Sequence, residues 1–440
     1  MATQASASVT RRAETSGWRT STTLAFRFVF IYLTLFALAT QLAGGVFILP
    51  NASLPAFGTI WPMRAITEWT AAHVFGISGP LLFAGNSGDT VFHWVQTGWL
   101  LVVAVIVTAA WSLLDQRREY TTLHKWFRLF LRFVLAAQMF YYGMAKIIPT
   151  QFPPPPLVTL VEPVGNQSLS NLLWTFIGSS TPYQMFTGSA ELIAGLLLLT
   201  PGTTPLGALI ALADMIQVWI LNMTYDVGLK QISFHLILVA LMILAPDLRR
   251  LMNVLVFDRA APPSSLPPLF ASGRTQRIAL AAQVVFGVYL VAIFTSVSLH
   301  YYSAVGGPGA PKSPLYGIWS VDELAVDGQV RPVVLNDYDR RWRRVIFDAD
   351  DAVIVQRTDD SLAHYHVAID ATSRTISLKK GTSQLWRSSF TFTSDGDRLT
   401  LDGEMDGHRI RARLERVELD TFRLLNSTFR WVRPPDPFAG

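Results

Sequence analysis

ELIAGLLLLTPGTTPLGALIALADMIQVWILNMTYDVGLKQISFHLILVALMIL, residues 191–244, decides the fold. Three apolar runs joined by short turns each carry one ionisable group: Glu191, Asp214 and His235. A membrane span needs about 20 mostly apolar residues. An ionisable side chain near the bilayer centre costs about 2.5–3.5 kcal/mol on insertion scales, so a chain that keeps several needs partners or a use for them. Lys146, near the end of the apolar run 127–148, is a fourth.

Seven stretches read as spans: 28–49, 94–114, 127–148, 183–200, 204–222, 229–245 and 277–300. Basic residues fall in alternate connections. Arg11, Arg12, Arg19 and Arg27 precede the first span; Arg117, Arg118, Lys125, Arg128 and Arg132 lie around the start of the third; Arg249, Arg250, Arg259, Arg274 and Arg277 separate the sixth from the seventh. The positive-inside rule then places the amino terminus in the cytoplasm and the carboxyl end outside. The first stretch is long for a signal-peptide core and reads as an anchor.

Half of the 440 residues are apolar, 15% are charged and the mean hydropathy is +0.33. Residues 303–440 hold 19 basic and 20 acidic residues against 17 and 11 in residues 1–302, so a water-soluble domain follows a membrane region. The net +5 belongs to the loops flanking the spans, which argues against nucleic acid as a partner. The absence of cysteine excludes disulfides, thiolate catalysis, Cys-ligated zinc and iron–sulfur clusters within the chain.

The organisation expected is a cytoplasmic tail (1–27), two spans with a long outer loop (28–126), a four-helix core (127–246), a cytoplasmic connector and seventh span (247–302), a linker (303–313) and a β-domain (314–433). Gly306-Gly307-Pro308-Gly309 reads as a flexible hinge. Beyond it, Val353-Ile354-Val355, His364-Tyr365-His366-Val367, Ser389-Phe390-Thr391-Phe392 and Ile410-Arg411-Ala412 are taken as two-residue alternation, with Asp395-Gly396 and Asp406-Gly407 as hairpin turns. About eight such strands favour an up-and-down antiparallel barrel. Gly317-Ile318-Trp319 resembles the opening of lipocalins. Arg340-Arg341-Trp342-Arg343-Arg344 reads as an exposed strand edge, and His364 and His366 as exposed positions on one face.

Lys146, Glu191, Asp214 and His235 come from four consecutive spans at similar depth, the arrangement of a site inside a bundle. Gln217 lies one turn from Asp214. Asp226 and Lys230, four apart at a helix start, form a local ion pair or the rim of the same pocket. Lys146 alone could snorkel to the headgroups, whereas Glu191 has too short a stem to escape.

Residues 127–246 resemble the four-helix DoxX-type membrane module, through Tyr142-Gly143-x-x-Lys146 and Phe186-x-Gly188-x-x-Glu191 with its following leucine run. Ser87-Gly88-Asp89-Thr90, Gln151-Phe152-Pro153, Tyr225-Asp226-Val227 with Lys230, and Ser233-Phe234-His235-Leu236 are similar to marks of large bacterial members of that family. The resemblance implies a multi-pass protein of the bacterial plasma membrane. Some relatives are small subunits of thiosulfate:quinone oxidoreductases. The first reading of the polar residues is a quinone site, with His235 and Glu191 as proton donors and Lys146 polarising a carbonyl oxygen, and with a redox partner subunit supplying electrons. The alternatives are non-enzymatic binding or transport of a small amphipathic molecule or lipid, and a membrane assembly scaffold.

The cysteine-free background permits a direct topology test. Ser373→Cys should be labelled in intact cells by a membrane-impermeant maleimide, and Gln116→Cys only after lysis; the reverse pattern would overturn the orientation.

Overall fold

The computed structural model describes residues 18–50, 55–81, 88–263, 266–305, 307–332, 341–381 and 386–426. Its helices are α1 (Thr20–Ala39), α2 (Gln41–Val46), α3 (Met63–Val74), α4 (Val91–Leu114), α5 (Thr121–Ile147), α6 (Leu169–Gly178), α7 (Thr181–Leu197), α8 (Thr204–Thr224), α9 (Lys230–Leu244), α10 (Leu248–Leu255), α11 (Gly273–His300) and α12 (Arg423–Asn426). Two compact units divide them. One comprises residues 1–141 with 191–293, the other 142–190 with 294–440.

Among the described residues, five helical stretches are long and apolar enough to cross a membrane: Thr20–Ala39, Val91–Leu114, Thr204–Thr224, Lys230–Leu255 and Gly273–Val305. The other two expected spans exist as helices, but α7 has 17 residues and α5 carries Lys125, Arg128, Arg132 and Lys146. Length and composition alone do not carry these two across.

The helical unit is arranged by burial. Every residue from Leu131 to Phe140 of α5 is buried, Arg132 and Gln138 included, so this stretch is surrounded by protein on all sides. On α4 the reverse holds. Val102, Val105, Ile106, Leu113 and Leu114 are exposed, as lipid-facing side chains are. In the loop after α2, α3 exposes Ile66, Trp69 and Val74, the composition of a helix lying at a membrane interface. It is held to α4 by Trp99, whose indole N–H donates to Thr67 at 3.0 Å.

The first helix starts earlier than expected, at Thr20 rather than 28, and ends at Ala39, with six-residue α2 after it. Arg27, read as a flanking charge, lies inside α1 and is 5% exposed. Its guanidinium donates to the carbonyls of Asp115 (2.7 Å) and Arg117 (3.1 Å) and to the Tyr120 hydroxyl (2.6 Å), and Tyr120 donates to the Asp115 carboxylate at 2.9 Å. A buried cation is tolerable when donors are matched in this way, and the connection from α4 to α5 is thereby fixed.

The second unit is an antiparallel barrel with a segment wrapped on it. Its strands are β1 (Lys312–Val326), β2 (Gln329–Val330), β3 (Trp342–Ala349), β4 (Ala352–Arg357), β5 (Leu362–Asp370), β6 (Thr375–Lys379), β7 (Arg387–Asp395), β8 (Arg398–Met405) and β9 (His408–Arg416). Sequential pairing from β3 to β9, with β1 bonded to both β3 and β9, closes an eight-stranded ring; β2 only extends β1. Trp319, Val321, Trp342, Phe347, Phe390 and Leu401 are among the side chains that fill its interior, as a ring of this size allows. Asp406 and Gly407 both have positive φ (53° and 78°) between paired Met405 and His408, a type I′ hairpin. At Gly317, φ is 150°, and a Cβ there would lie 3.4 Å from the Arg416 guanidinium of the closing strand.

Three features depart from or go beyond the sequence expectations. Val353-Ile354-Val355 does alternate, with Val353 and Val355 inward and Ile354 outward, but its outer face is covered rather than exposed. Ile354, with Ile318 and Ile346, forms an outward cluster covered by Leu157. The segment after Pro153-Pro154-Pro155-Pro156 supplies that cover, and its backbone is tied to the barrel: Leu157 N–H donates to Asp348 at 2.9 Å, and the Gln356 amide donates to the Val161 carbonyl at 3.1 Å. Second, Arg341 is not on an exposed edge. It is 1% exposed and donates to the Val321 and Asp322 carbonyls (3.2 and 3.3 Å), because β1 passes over it. Arg343 is exposed and paired with Asp360; His364 and His366 are exposed, as expected; Arg340 lies outside the described residues. Third, the glycine hinge is bonded. Gly307 and Gly309 donate to the carbonyls of Tyr301 and Tyr302, each at 3.1 Å; Gly306 and residues 427–433 lie outside the described residues.

Leu157→Ala should lower stability by about 2–4 kcal/mol, the range for truncating a buried leucine, seen as a fall in thermal midpoint. Burial raises the Asp348 carboxyl above the usual range, against the Leu157 amide and Lys312. A raised carboxyl binds its proton more tightly when folded, so its stabilisation is complete below the unfolded value and is lost as pH rises through the folded one. Asp348→Asn should therefore flatten the decline in thermal midpoint from about pH 4 to about pH 7, and an unchanged slope would contradict this.

Candidate functional site

His235, on α9 within the helical unit, is 4% exposed, and both ring nitrogens are engaged. Nδ1 faces the Gln231 carbonyl at 2.7 Å. A carbonyl only accepts, so Nδ1 carries the hydrogen and Nε2 of the neutral ring accepts from the Tyr32 hydroxyl, also at 2.7 Å. Phe36, one turn beyond Tyr32 on α1, stacks on the imidazole with centroids 3.4 Å apart and planes 7° apart. Phe234 closes another side edge-on at 5.9 Å. The hydrogen-bonding partners of His235 are thus α1 and its own helix.

The polar line continues outward. Gln231 accepts at Oε1 from Thr97 of α4 at 2.6 Å. Asp89 caps α9 from before α4: its carboxylate accepts from the backbone N–H of Lys230 (2.6 Å) and of Gln231 (3.0 Å). Two orphan amides of a helix start are satisfied by an anion where the dipole favours it. The preceding Gly88 donates to the Gly228 carbonyl at 2.9 Å; Ser87 lies outside the described residues. Asn222, at the end of α8, donates to the Leu229 carbonyl (3.2 Å) and the Ser233 hydroxyl (3.1 Å), holding the α8–α9 turn.

Asp226 and Lys230 form the local ion pair at 2.8 Å, with the Asp226 side chain 85% exposed. The hydrogen bond from Lys230 holds the Asp226 carboxyl below its ordinary range. This pair is a helix-terminus contact. Glu191 is buried, 1% exposed, on α7; on α8 Asp214 is half-buried and Gln217 exposed.

Lys146 belongs to the second unit and is 7% exposed, so it does not snorkel freely. Its ammonium lies 5.7 Å from the Tyr142 ring centroid. Gly143 and Gly188 explain its setting. A Cβ on Gly188 would come within 2.6 Å of the Lys146 Cβ and 2.7 Å of the Gly143 carbonyl oxygen, so α5 and α7 meet backbone to backbone. Phe152 of the Gln151-Phe152-Pro153 pattern packs its ring on Trp174, centroids 4.9 Å apart.

Four sequence-derived residues therefore have distinct settings. His235 is sealed in an aromatic enclosure, Glu191 is buried on α7, Asp214 is half-buried on α8, and Lys146 sits at the α5–α7 crossing. Tyr32, Phe36, Gln231 and the capping role of Asp89 were not anticipated. The hydroxyl of Tyr32 within an apolar helix was the available signal, since a buried hydroxyl needs a partner.

These features define a membrane-associated helical protein carrying a closed antiparallel barrel. No family model and no solved structure matches the chain. It is similar to the uncharacterized protein YwoB of Bacillus subtilis (strain 168), 34% identical over 128 residues, which are 29% of this chain and 79% of YwoB. The chain belongs to the same family as YwoB.

Asp89→Ala should loosen the first turn of α9 by about 1–2 kcal/mol. Amide hydrogen exchange at Lys230 and Gln231 is then expected to accelerate by about tenfold; unchanged exchange would show that the cap is not what holds this turn.

Proposed function

We propose that the chain is a DoxX-like plasma-membrane protein, amino terminus cytoplasmic and barrel extracytoplasmic, whose helical unit binds the headgroup of a quinone. The observation that supports this reading is the Tyr32–His235 pair: a hydroxyl bonded to an imidazole at 2.7 Å, shielded by Phe36. Such a pair can present or relay a proton next to a carbonyl oxygen. Glu191, equally shielded, is a second group able to hydrogen-bond a headgroup. Reduction of a bound quinone to the quinol takes two electrons and two protons; the electrons come, in this reading, from a redox partner subunit.

Non-enzymatic binding of a small amphipathic molecule by the same groups is the second reading. It is favoured by the full engagement of both His235 nitrogens, which suits a fixed hydrogen-bond scaffold better than a freely titrating acid. In either case the ligand is assigned to the helical unit; Trp319, Trp342 and Phe390 are among the side chains filling the barrel interior.

Protein extracted in mild detergent should retain a quinone detectable by mass spectrometry of its organic extract. Glu191→Gln and Tyr32→Phe should each reduce its occupancy by about tenfold, the effect of one lost buried hydrogen bond. Retention of a different amphiphile with the same sensitivity would favour the second reading. Ligand occupancy indifferent to both substitutions would remove the site.

A further inference from the structure

The helical unit contains a cavity of about 810 Å³ lined by none of the residues of the His235 enclosure. Its walls come from α5, α8, α10, α11 and the proline-rich connector after α10. The size falls within the range of about 300–1,000 Å³ typical of small-molecule sites. Its lining is divided in character. Four cations line it, Lys125, Arg128 and Arg132 of α5 with Arg250 of α10, together with hydrocarbon from Leu206, Leu209 and Leu251.

The charges do not cancel. Asp247 is the sole carboxylate of the lining among the described residues, so four cations against one anion leave a net of +3 (4 − 1). Asp247 is 2% exposed and is shared between Arg250 at 2.5 Å and Arg128 at 3.5 Å. Lys125 reaches only the Pro268 carbonyl, at 3.1 Å. Arg132 is the most telling. It is 4% exposed, donates from Nη2 to the Leu199 carbonyl at 3.2 Å and to the Gln283 side chain, and has no carboxylate partner among the described residues. Its buried Nε has no hydrogen-bond partner among the described residues. A guanidinium buried without an anion, with a donor unused, is costly unless something fills the space beside it.

The apolar part of the lining is continuous with surface suited to hydrocarbon. Leu248, Val256 and Phe257, on and just after α10, are all exposed. Such an amphipathic segment lies at the boundary between headgroups and acyl chains.

We propose that this cavity binds an anionic amphiphile, its phosphate seated against Arg132 and Arg250 and its hydrocarbon along α8 and α10. Arginine forks match phosphate oxygens in geometry as well as in charge. The leucines exclude water and supply what a bare phosphate cannot use. The site is independent of the quinone reading, sharing none of its residues.

Native mass spectrometry of the full-length protein, titrated with dioleoyl phosphatidic acid, dioleoyl phosphatidylcholine and inorganic phosphate, tests it. The parent should prefer phosphatidic acid over phosphatidylcholine by about tenfold, as two charge-assisted contacts warrant. The double variant Lys125→Ala with Arg250→Ala removes the two more accessible cations; it should bring that preference to within about twofold while leaving the weak phosphatidylcholine binding as it was. Leu251→Glu, in the apolar part of the lining, should weaken phosphatidic acid by a similar factor. Equal binding of the two lipids by the parent, or a preference unmoved in the double variant, would overturn the proposal. Inorganic phosphate binding as tightly as the lipid would also overturn it, by making the ligand a solute rather than an amphiphile.

Discussion

The helical unit depends on one constraint: a polar group enclosed by apolar side chains must find its partner within the protein. Tyr32 and His235 show this most sharply. Neither the hydroxyl nor the imidazole can reach water, and each satisfies the other at 2.7 Å. Because Tyr32 is on α1 and His235 on α9, the bond also fixes which helices are neighbours. The Arg27 cluster does the same at the α4–α5 connection, and Asp89 does it at the start of α9. Each contact is worth about 1 kcal/mol on its own. Their larger effect is specificity, since any other arrangement would leave several donors and acceptors orphaned at about 1–3 kcal/mol each.

The barrel obeys the same rule with different means. Its ring pairs the backbone groups of the closing strands, and its interior is filled with aromatic and aliphatic side chains. It departs from a simple barrel at Ile318, Ile346 and Ile354, which face outward and would be an exposed apolar patch. The residues around Leu157 cover them, with Asp348 and Gln356 holding the covering backbone. The segment between α5 and α6 and the barrel must therefore lie on the same side of any membrane. That agrees with the charge distribution, in which residues 149–182 carry no basic residue.

Much of this was visible in the residues. Glu191 and His235 stand out because ionisable groups interrupt apolar runs, and both are buried. The hairpin at Asp406-Gly407 and the antiparallel barrel followed from turn chemistry and strand spacing. The partner of His235 did not, because Tyr32 is 203 residues away and no local pattern joins them. The start of α1 was misplaced because Arg27 reads as a flanking charge until its carbonyl partners are known. Val345-Ile346-Phe347 and Val353-Ile354-Val355 carried an unused signal: runs apolar on both faces mean strands covered on both sides.

A double-mutant cycle between Tyr32 and His235 tests the organising role of their contact most directly. Thermal unfolding of the parent, Tyr32→Phe, His235→Gln and the double variant in one detergent would give the coupling. The account predicts a coupling of about 1 kcal/mol, with the double variant more stable than the sum of the single losses implies. Strict additivity, within about 0.3 kcal/mol, would contradict it and leave His235 a packing residue only.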